Sequence, residues 1–232
     1  MKDIKGVIFD FDGTLLDSMV VWVQFEVEYL RSLGAEARPG LAEVLRSLSS
    51  VEEAIYFQEE YGVTQTVDEI IAGRNALIGE KYRNSIPLKP GVVEVLELLH
   101  SRGIKMCIAT ATERELIGPA IERLNLLKYI SRVFTCEEVG ESKSSPDIFI
   151  QAAEFMGIKV SETLVVEDAL YAIRTAKKEG FIVAGLYDKS SLDHMEEIKS
   201  LSDFYWMDFG KMKEFILSRC RHCEEPFGDV AI

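Results

Sequence analysis

No stretch of this 232-residue chain approaches the ~20 consecutive apolar residues that a membrane-spanning helix needs, so no membrane partner is expected. A basic stripe is also missing. Twenty-six Lys and Arg stand against 39 Asp and Glu, and the formal net charge of −13 makes the overall field hostile to nucleic-acid phosphates. No nucleic-acid partner is expected either. The same field would repel a phosphorylated metabolite unless a metal ion, a lysine and backbone N–H groups made the site locally positive. Cysteines number four and histidines three. Cys107, in an apolar run, and Cys136, after Val133-Phe134-Thr135, read as small core residues. Cys220-Arg221-His222-Cys223 brings two thiols and an imidazole together, but a structural zinc needs a fourth ligand, and only His100 and His194 remain among the histidines. A metal-free C-terminal tail is the favoured reading. There is no internal repeat, low-complexity segment or long linker, and Met1-Lys2-Asp3 leads into the first strand without a secretory signal pattern. A cytoplasmic location is expected. Oligomeric state cannot be read from the sequence.

What is present suits a sizeable core, since 47% of the residues are hydrophobic. The most informative stretch is GVIFDFDGTLLDS at 6–18. Its apolar start, Gly6-Val7-Ile8-Phe9, fits a strand buried on both faces of a parallel sheet, where continuous apolar sequence replaces alternation. Asp10 and Asp12 then fall at the carboxyl end of that strand, where open α/β sheets place their ligands. Period-2 geometry points both side chains the same way. Carboxylates held that close repel unless a cation or a shared proton relieves them, and oxygen-only ligands favour Mg²⁺. Gly13 allows a sharp turn directly afterwards. The competing reading is a solvated Asp-Gly turn.

From Ser18 to about Asn84 the periodicity is helical throughout, with helices ending near Gly34, over Gly40 to Leu48, Val51 to Tyr61 and Val67 to Tyr82. The acidic pairs Glu52-Glu53 and Glu59-Glu60 read as solvated helix faces. After Pro87-Leu88-Lys89-Pro90-Gly91, strands and helices alternate up to Leu186. This βαβ order predicts a doubly wound, Rossmann-like parallel sheet carrying an inserted all-helical cap. The expected division is an α/β core at 1–17 and 86–218, a cap at 18–85 and a tail at 219–232.

Three further places in the core suit phosphoryl transfer. The strand Lys105-Met106-Cys107-Ile108-Ala109 runs into Thr110-Ala111-Thr112 and opens a helix, where a hydroxyl and free N–H groups can hold a phosphate. Thr110, at the strand end, is the functional candidate, whereas Thr112 also reads as an ordinary N-cap. Lys143, in Ser142-Lys143-Ser144-Ser145-Pro146-Asp147, can neutralise phosphoryl charge if it lies beside the aspartates. Leu164-Val165-Val166 ends in Glu167-Asp168, an acidic pair that supplies a further metal ligand.

Together these motifs resemble the haloacid dehalogenase superfamily of phosphatases and phosphomutases, in its branch with a small helical cap inserted after the first motif. The likeness rests on Asp-Phe-Asp-Gly-Thr-Leu-Leu-Asp at 10–17, Ala-Thr-Ala at 109–111, Lys143 with Pro146-Asp147, and Val-Val-Glu-Asp at 165–168, and covers roughly Lys5 to Leu186. It implies that Asp10 is the nucleophile, forming an aspartyl-phosphate, and that Asp12 is the general acid/base. It implies that Thr110, Ala111 and Lys143 bind the phosphoryl group. Mg²⁺ would be held by Asp10, the backbone carbonyl of Asp12 and Asp168, with Glu167 as a further or neighbouring ligand. One departure is Ala169, where many relatives carry a serine that supports the metal shell. The expected activity is hydrolysis of a small phosphate monoester, a sugar phosphate or a nucleotide. The alternatives are a β-phosphoglucomutase-like mutase and a non-catalytic module that binds a phosphorylated ligand. Arg46 and the serines around it do not form the mutase signature, so a phosphatase is favoured. Trp22, Tyr56, Phe57 and Arg74 are candidate cap contacts that also read as helix-packing or surface residues.

Overall fold

A computed structural model describes residues 4–45 and 48–218. Arg46, Cys220, His222 and Cys223 therefore lie outside the described residues. The chain enters through β1 (Gly6–Phe9) and crosses four helices, α1 (Met19–Ser32), α2 (Leu41–Leu45), α3 (Ser50–Tyr61) and α4 (Val67–Asn84). It then alternates through α5 (Val92–Ser101), β2 (Lys105–Thr110), α6 (Arg114–Arg123), β3 (Arg132–Thr135), the single turn α7 (Cys136–Val139) and α8 (Asp147–Met156). The last third holds β4 (Thr163–Glu167), α9 (Leu170–Glu179), β5 (Ile182–Leu186), α10 (Met195–Leu201), β6 (Phe204–Trp206) and α11 (Phe209–Ser218).

All strand pairs are parallel and the sheet order is β3-β2-β1-β4-β5-β6. Residues alternate between two apolar layers: Val7, Phe9, Met106, Ile108 and Val166 face one, and Ile8, Cys107, Ala109 and Val165 face the other. Helices α5, α6 and α11 cover the first layer, and α8, α9 and α10 the second. Burial on both sides is why the strands read as unbroken apolar runs. Register sets the site: Phe9 stands opposite Ile108 on one side and Val166 on the other. The carboxyl ends of β1, β2 and β4 therefore finish side by side.

Helices α3 and α4 start where the sequence supplies capping boxes, Ser49 with Glu52 and Thr66 with Glu69. Gly73 lets α4 lie tight against α1, because a Cβ there would sit 2.8 Å from the Tyr29 hydroxyl. Where α4 returns to the core, Arg123 of α6 donates to the carbonyls of Tyr82 and Ile86 at 3.0 and 2.6 Å. The region after Leu186, which the sequence pattern left unassigned, adds an edge strand and two helices. Phe204-Tyr205-Trp206 is too short a run to register as a strand alone.

Candidate active site

Asp10 follows β1, and its backbone N–H donates to Val166 O at 3.0 Å. That bond extends the β1–β4 pairing by one residue and sets the Asp10 side chain beside Glu167 and Asp168. Carboxylate oxygens of these three residues lie within 4.8 Å of one another, and all three side chains are buried. Lys143 enters the same cluster. A turn closed by Ser145 N–H to Ser142 O at 2.9 Å precedes α8 and directs Lys143 inward, where it is 2% exposed rather than solvated. Its Nζ donates to Asp10 Oδ1 and, at 2.7 Å, to Glu167 Oε1. Glu167 Oε2 accepts from the backbone N–H groups of Asp168 and Ala169, both at 2.8 Å. Thr14 donates to Asp168 Oδ1 at 3.1 Å.

The electrostatics do not close on protein groups alone. Three carboxylates face one ammonium, and Asp10 Oδ2 is buried without a hydrogen-bond partner among the described residues. Burial, followed by the Glu167 charge, pushes the Asp10 carboxyl up to about 7 despite the opposing Lys143. Burial, then Glu167 and Asp10, also raise Asp168 well above the carboxylate range. Burial alone would depress Lys143, but Asp10 and Glu167 outweigh it and hold the ammonium charged. An all-oxygen donor set with excess negative charge and an orphaned carboxylate oxygen fits a hard divalent cation.

Gly13 makes the turn after the aspartates at φ +81°, and a Cβ there would lie 2.6 Å from Asp168 Oδ2. Only glycine suits both the conformation and the approach. Asp10 and Asp12 border the same cavity, but only Asp10 joins Glu167 and Asp168 in the carboxylate cluster. Asp12 instead accepts from Thr112 Oγ1 at 2.7 Å and from the Tyr82 hydroxyl at 2.6 Å. Its carboxylate is not part of the three-carboxylate cluster. Thr110 is 1% exposed at the end of β2, and its hydroxyl accepts the Thr112 N–H at 3.1 Å.

A cavity of about 520 Å³ lies between cap and core and is bordered by Asp10, Asp12, Thr110, Ala111, Lys143, Glu167 and Asp168. All seven site residues expected from the sequence thus face one space. Trp22 and Arg74 border it from the cap, whereas Phe57 is fully buried in the core and Tyr56 packs against it. A second cavity, about 570 Å³, is lined by Lys89, Asp188 and Phe209 and touches none of the cluster carboxylates.

Two readings need correction, and one residue was missed. Glu53 is not on a solvated face: it is 4% exposed, borders the cavity and pairs with Arg74 at 3.1 Å. Burial raises its carboxyl, with Arg74 opposing. Its neighbour Glu52 is the exposed capping residue, so adjacent acids on one helix have opposite fates. Thr112 is not an N-cap, since Glu113 holds that position without a side-chain bond, and the Thr112 hydroxyl is spent on Asp12. Tyr82 was missed altogether because its partner lies 70 residues away. The one available signal is an aromatic with a polar tip at the end of the last cap helix, directly before the core resumes.

Comparison with known proteins agrees with this geometry. A family model for haloacid dehalogenase-like hydrolases matches residues 4–180. Phosphoglycolate phosphatase of Shigella dysenteriae is 30% identical over 206 residues, covering 80% of this chain and 82% of that protein. The mitochondrial (DL)-glycerol-3-phosphatase 1 of Arabidopsis thaliana is 28% identical over 221 residues, covering 89% of this chain and 74% of its own. Among solved structures, CbbY of Rhodobacter sphaeroides in complex with phosphate superposes with a TM-score of 0.77 at 20% identity, covering 90% of this chain and 96% of that one, a likeness of fold. With its parallel sheet, inserted helices and buried carboxylate cluster, the chain belongs to the haloacid dehalogenase-like hydrolases.

Proposed function

We propose that the protein is a Mg²⁺-dependent phosphatase that hydrolyses a small phosphate monoester through an aspartyl-phosphate on Asp10. The observation that carries this reading is Asp10 itself: one oxygen is held by Lys143, while the other is buried and unpartnered beside Glu167 and Asp168. Asp10 attacks phosphorus as the leaving-group oxygen departs and takes a proton from Asp12. Water then attacks the acyl-phosphate, giving its proton to Asp12 and regenerating the Asp10 carboxylate. Lys143, the Thr110 hydroxyl and the backbone at Ala111 hold the phosphoryl oxygens. Asp10, Asp168 and the Asp12 carbonyl would hold the cation, with Glu167 beside them. When bound, the cation offsets the repulsion between an anionic nucleophile and an anionic phosphate.

A cavity of about 520 Å³ suits a metabolite rather than a macromolecule. The two curated relatives are named for glycerol 3-phosphate and phosphoglycolate, short-chain monoesters that head the test panel. Both are named phosphatases, which supports hydrolysis over a mutase. Phosphate release is measured with each ester, with β-glucose 1-phosphate plus its bisphosphate activator, and with Mg²⁺ or a chelator. Release that needs Mg²⁺ and disappears in Asp10→Asn is expected. Release undiminished in Asp10→Asn, or isomerisation of the glucose phosphate without release, would overturn the proposal.

A further inference from the structure

Asp12, in the acid/base role proposed above, needs a fixed orientation, and half of what fixes it comes from the cap. Among the described residues its two oxygens accept two side-chain hydrogen bonds, one from Thr112 of the core and one from Tyr82 of α4. Tyr82 is completely buried, so its hydroxyl must be satisfied by protein. It accepts from Trp22 Nε1 at 3.1 Å, and the two rings meet edge to face at 6.3 Å. An indole N–H can only donate. The Tyr82 oxygen is therefore the acceptor toward Trp22, and its single proton points at Asp12. The direction Trp22 to Tyr82 to Asp12 is set by donor chemistry, and both donors belong to cap helices.

We propose that Tyr82 is a positioning residue for Asp12, oriented by Trp22, so that the acid/base group is correctly held only while α4 lies against the core. A carboxylate bonded at one oxygen can swing, whereas one bonded at both is fixed in its plane. Displacement of a reacting group by about 1 Å is enough to cost on the order of 10²-fold in rate. The arrangement couples cap placement to catalysis through the Tyr82 hydroxyl.

The inference rests on the acid/base reading of Asp12, and the test separates the two. Tyr82→Phe, Trp22→Phe, Asp12→Asn and the double variant Asp12→Asn/Tyr82→Phe are assayed with Mg²⁺ on glycerol 3-phosphate and p-nitrophenyl phosphate. Tyr82→Phe keeps the ring and removes the hydroxyl. Its kcat on glycerol 3-phosphate should fall about 10- to 100-fold with KM within about twofold, and less on p-nitrophenyl phosphate, whose leaving group scarcely needs a proton. Trp22→Phe should show a smaller fall in the same direction, and it decides the matter if Tyr82→Phe does not fold by thermal unfolding. In the Asp12→Asn background, Tyr82→Phe should cost nothing further. Wild-type kcat in Tyr82→Phe, or an equal loss on both esters that persists in the double variant, overturns the inference. Full activity in Asp12→Asn, or no turnover of either ester by the wild type, instead overturns the reading beneath it.

Discussion

Asp10→Asn should abolish phosphate release and at the same time make the metal-free protein more stable. The Asp10 carboxyl is raised from 3.8 to about 7, and each tenfold change in proton affinity corresponds to about 1.4 kcal/mol. In the absence of metal, its ionised form therefore opposes folding by about 4 kcal/mol above pH 7. The sign follows from proton counts. Between pH 4 and 7 the folded state binds the proton that the unfolded chain has released, so this group's contribution to stability is full below pH 4 and is lost as pH rises through about 7. Asparagine removes the charge, its carbonyl can still accept from Lys143, and its amide faces Glu167 and Asp168 as a donor. About 2–4 kcal/mol of the penalty should be recovered at pH 8, or roughly 5–15 °C in Tm for a chain of this size. The assay is thermal unfolding with a chelator at pH 5 and pH 8, repeated with Mg²⁺. The variant should exceed the wild type at pH 8, the gap should shrink at pH 5, and Mg²⁺ should close it by stabilising the wild type. An Asp10→Asn protein no more stable than wild type at pH 8 without metal would refute the idea that the cluster is strained by its own charge.

Two other substitutions probe the same cluster. Lys143→Met preserves length while leaving Asp10 and Glu167 without their buried cation, and unfolding should show a loss of about 3–5 kcal/mol without metal, along with loss of phosphate release. Gly13→Ala forces a methyl into a φ of +81° and within 2.6 Å of Asp168 Oδ2, so a Mg²⁺ titration of activity should show weaker apparent binding and at least a tenfold lower kcat.

The linear sequence exposed whatever is local. Gly6–Phe9 and Thr163–Glu167 announce themselves as strands because burial on both faces leaves no room for polar alternation, and Asp10, Thr110, Lys143 and Glu167 stand where each strand or loop ends. Adjacency in space was harder to read. Glu53 and Glu52 are neighbours with the same chemistry, and only the packing of α3 on α4 decides that one meets Arg74 while the other caps a helix. Asp12 meets Tyr82 across 70 residues of chain, a contact that no local pattern reveals. The sixth strand is held by edge pairing to β5 rather than by its own three residues.

The sheet order also has a consequence for synthesis. β1 occupies the middle, with β2 on one side and β4 on the other. As the chain emerges from the ribosome, β1, β2 and β3 can pair once residue 135 is out, but the second edge of β1 has no partner until Thr163–Glu167 appears. Between Phe9 and Thr163 lie 153 residues, about 8–30 s of translation at ~5–20 residues per second. Throughout that interval Val7, Ile8 and Phe9 form an open, apolar edge next to an acidic Asp10 that has not yet met Glu167 and Asp168. Such an edge can template pairing with another nascent chain. The half-made sheet, rather than the finished enzyme, is the form of this protein most exposed to aggregation and most in need of a chaperone.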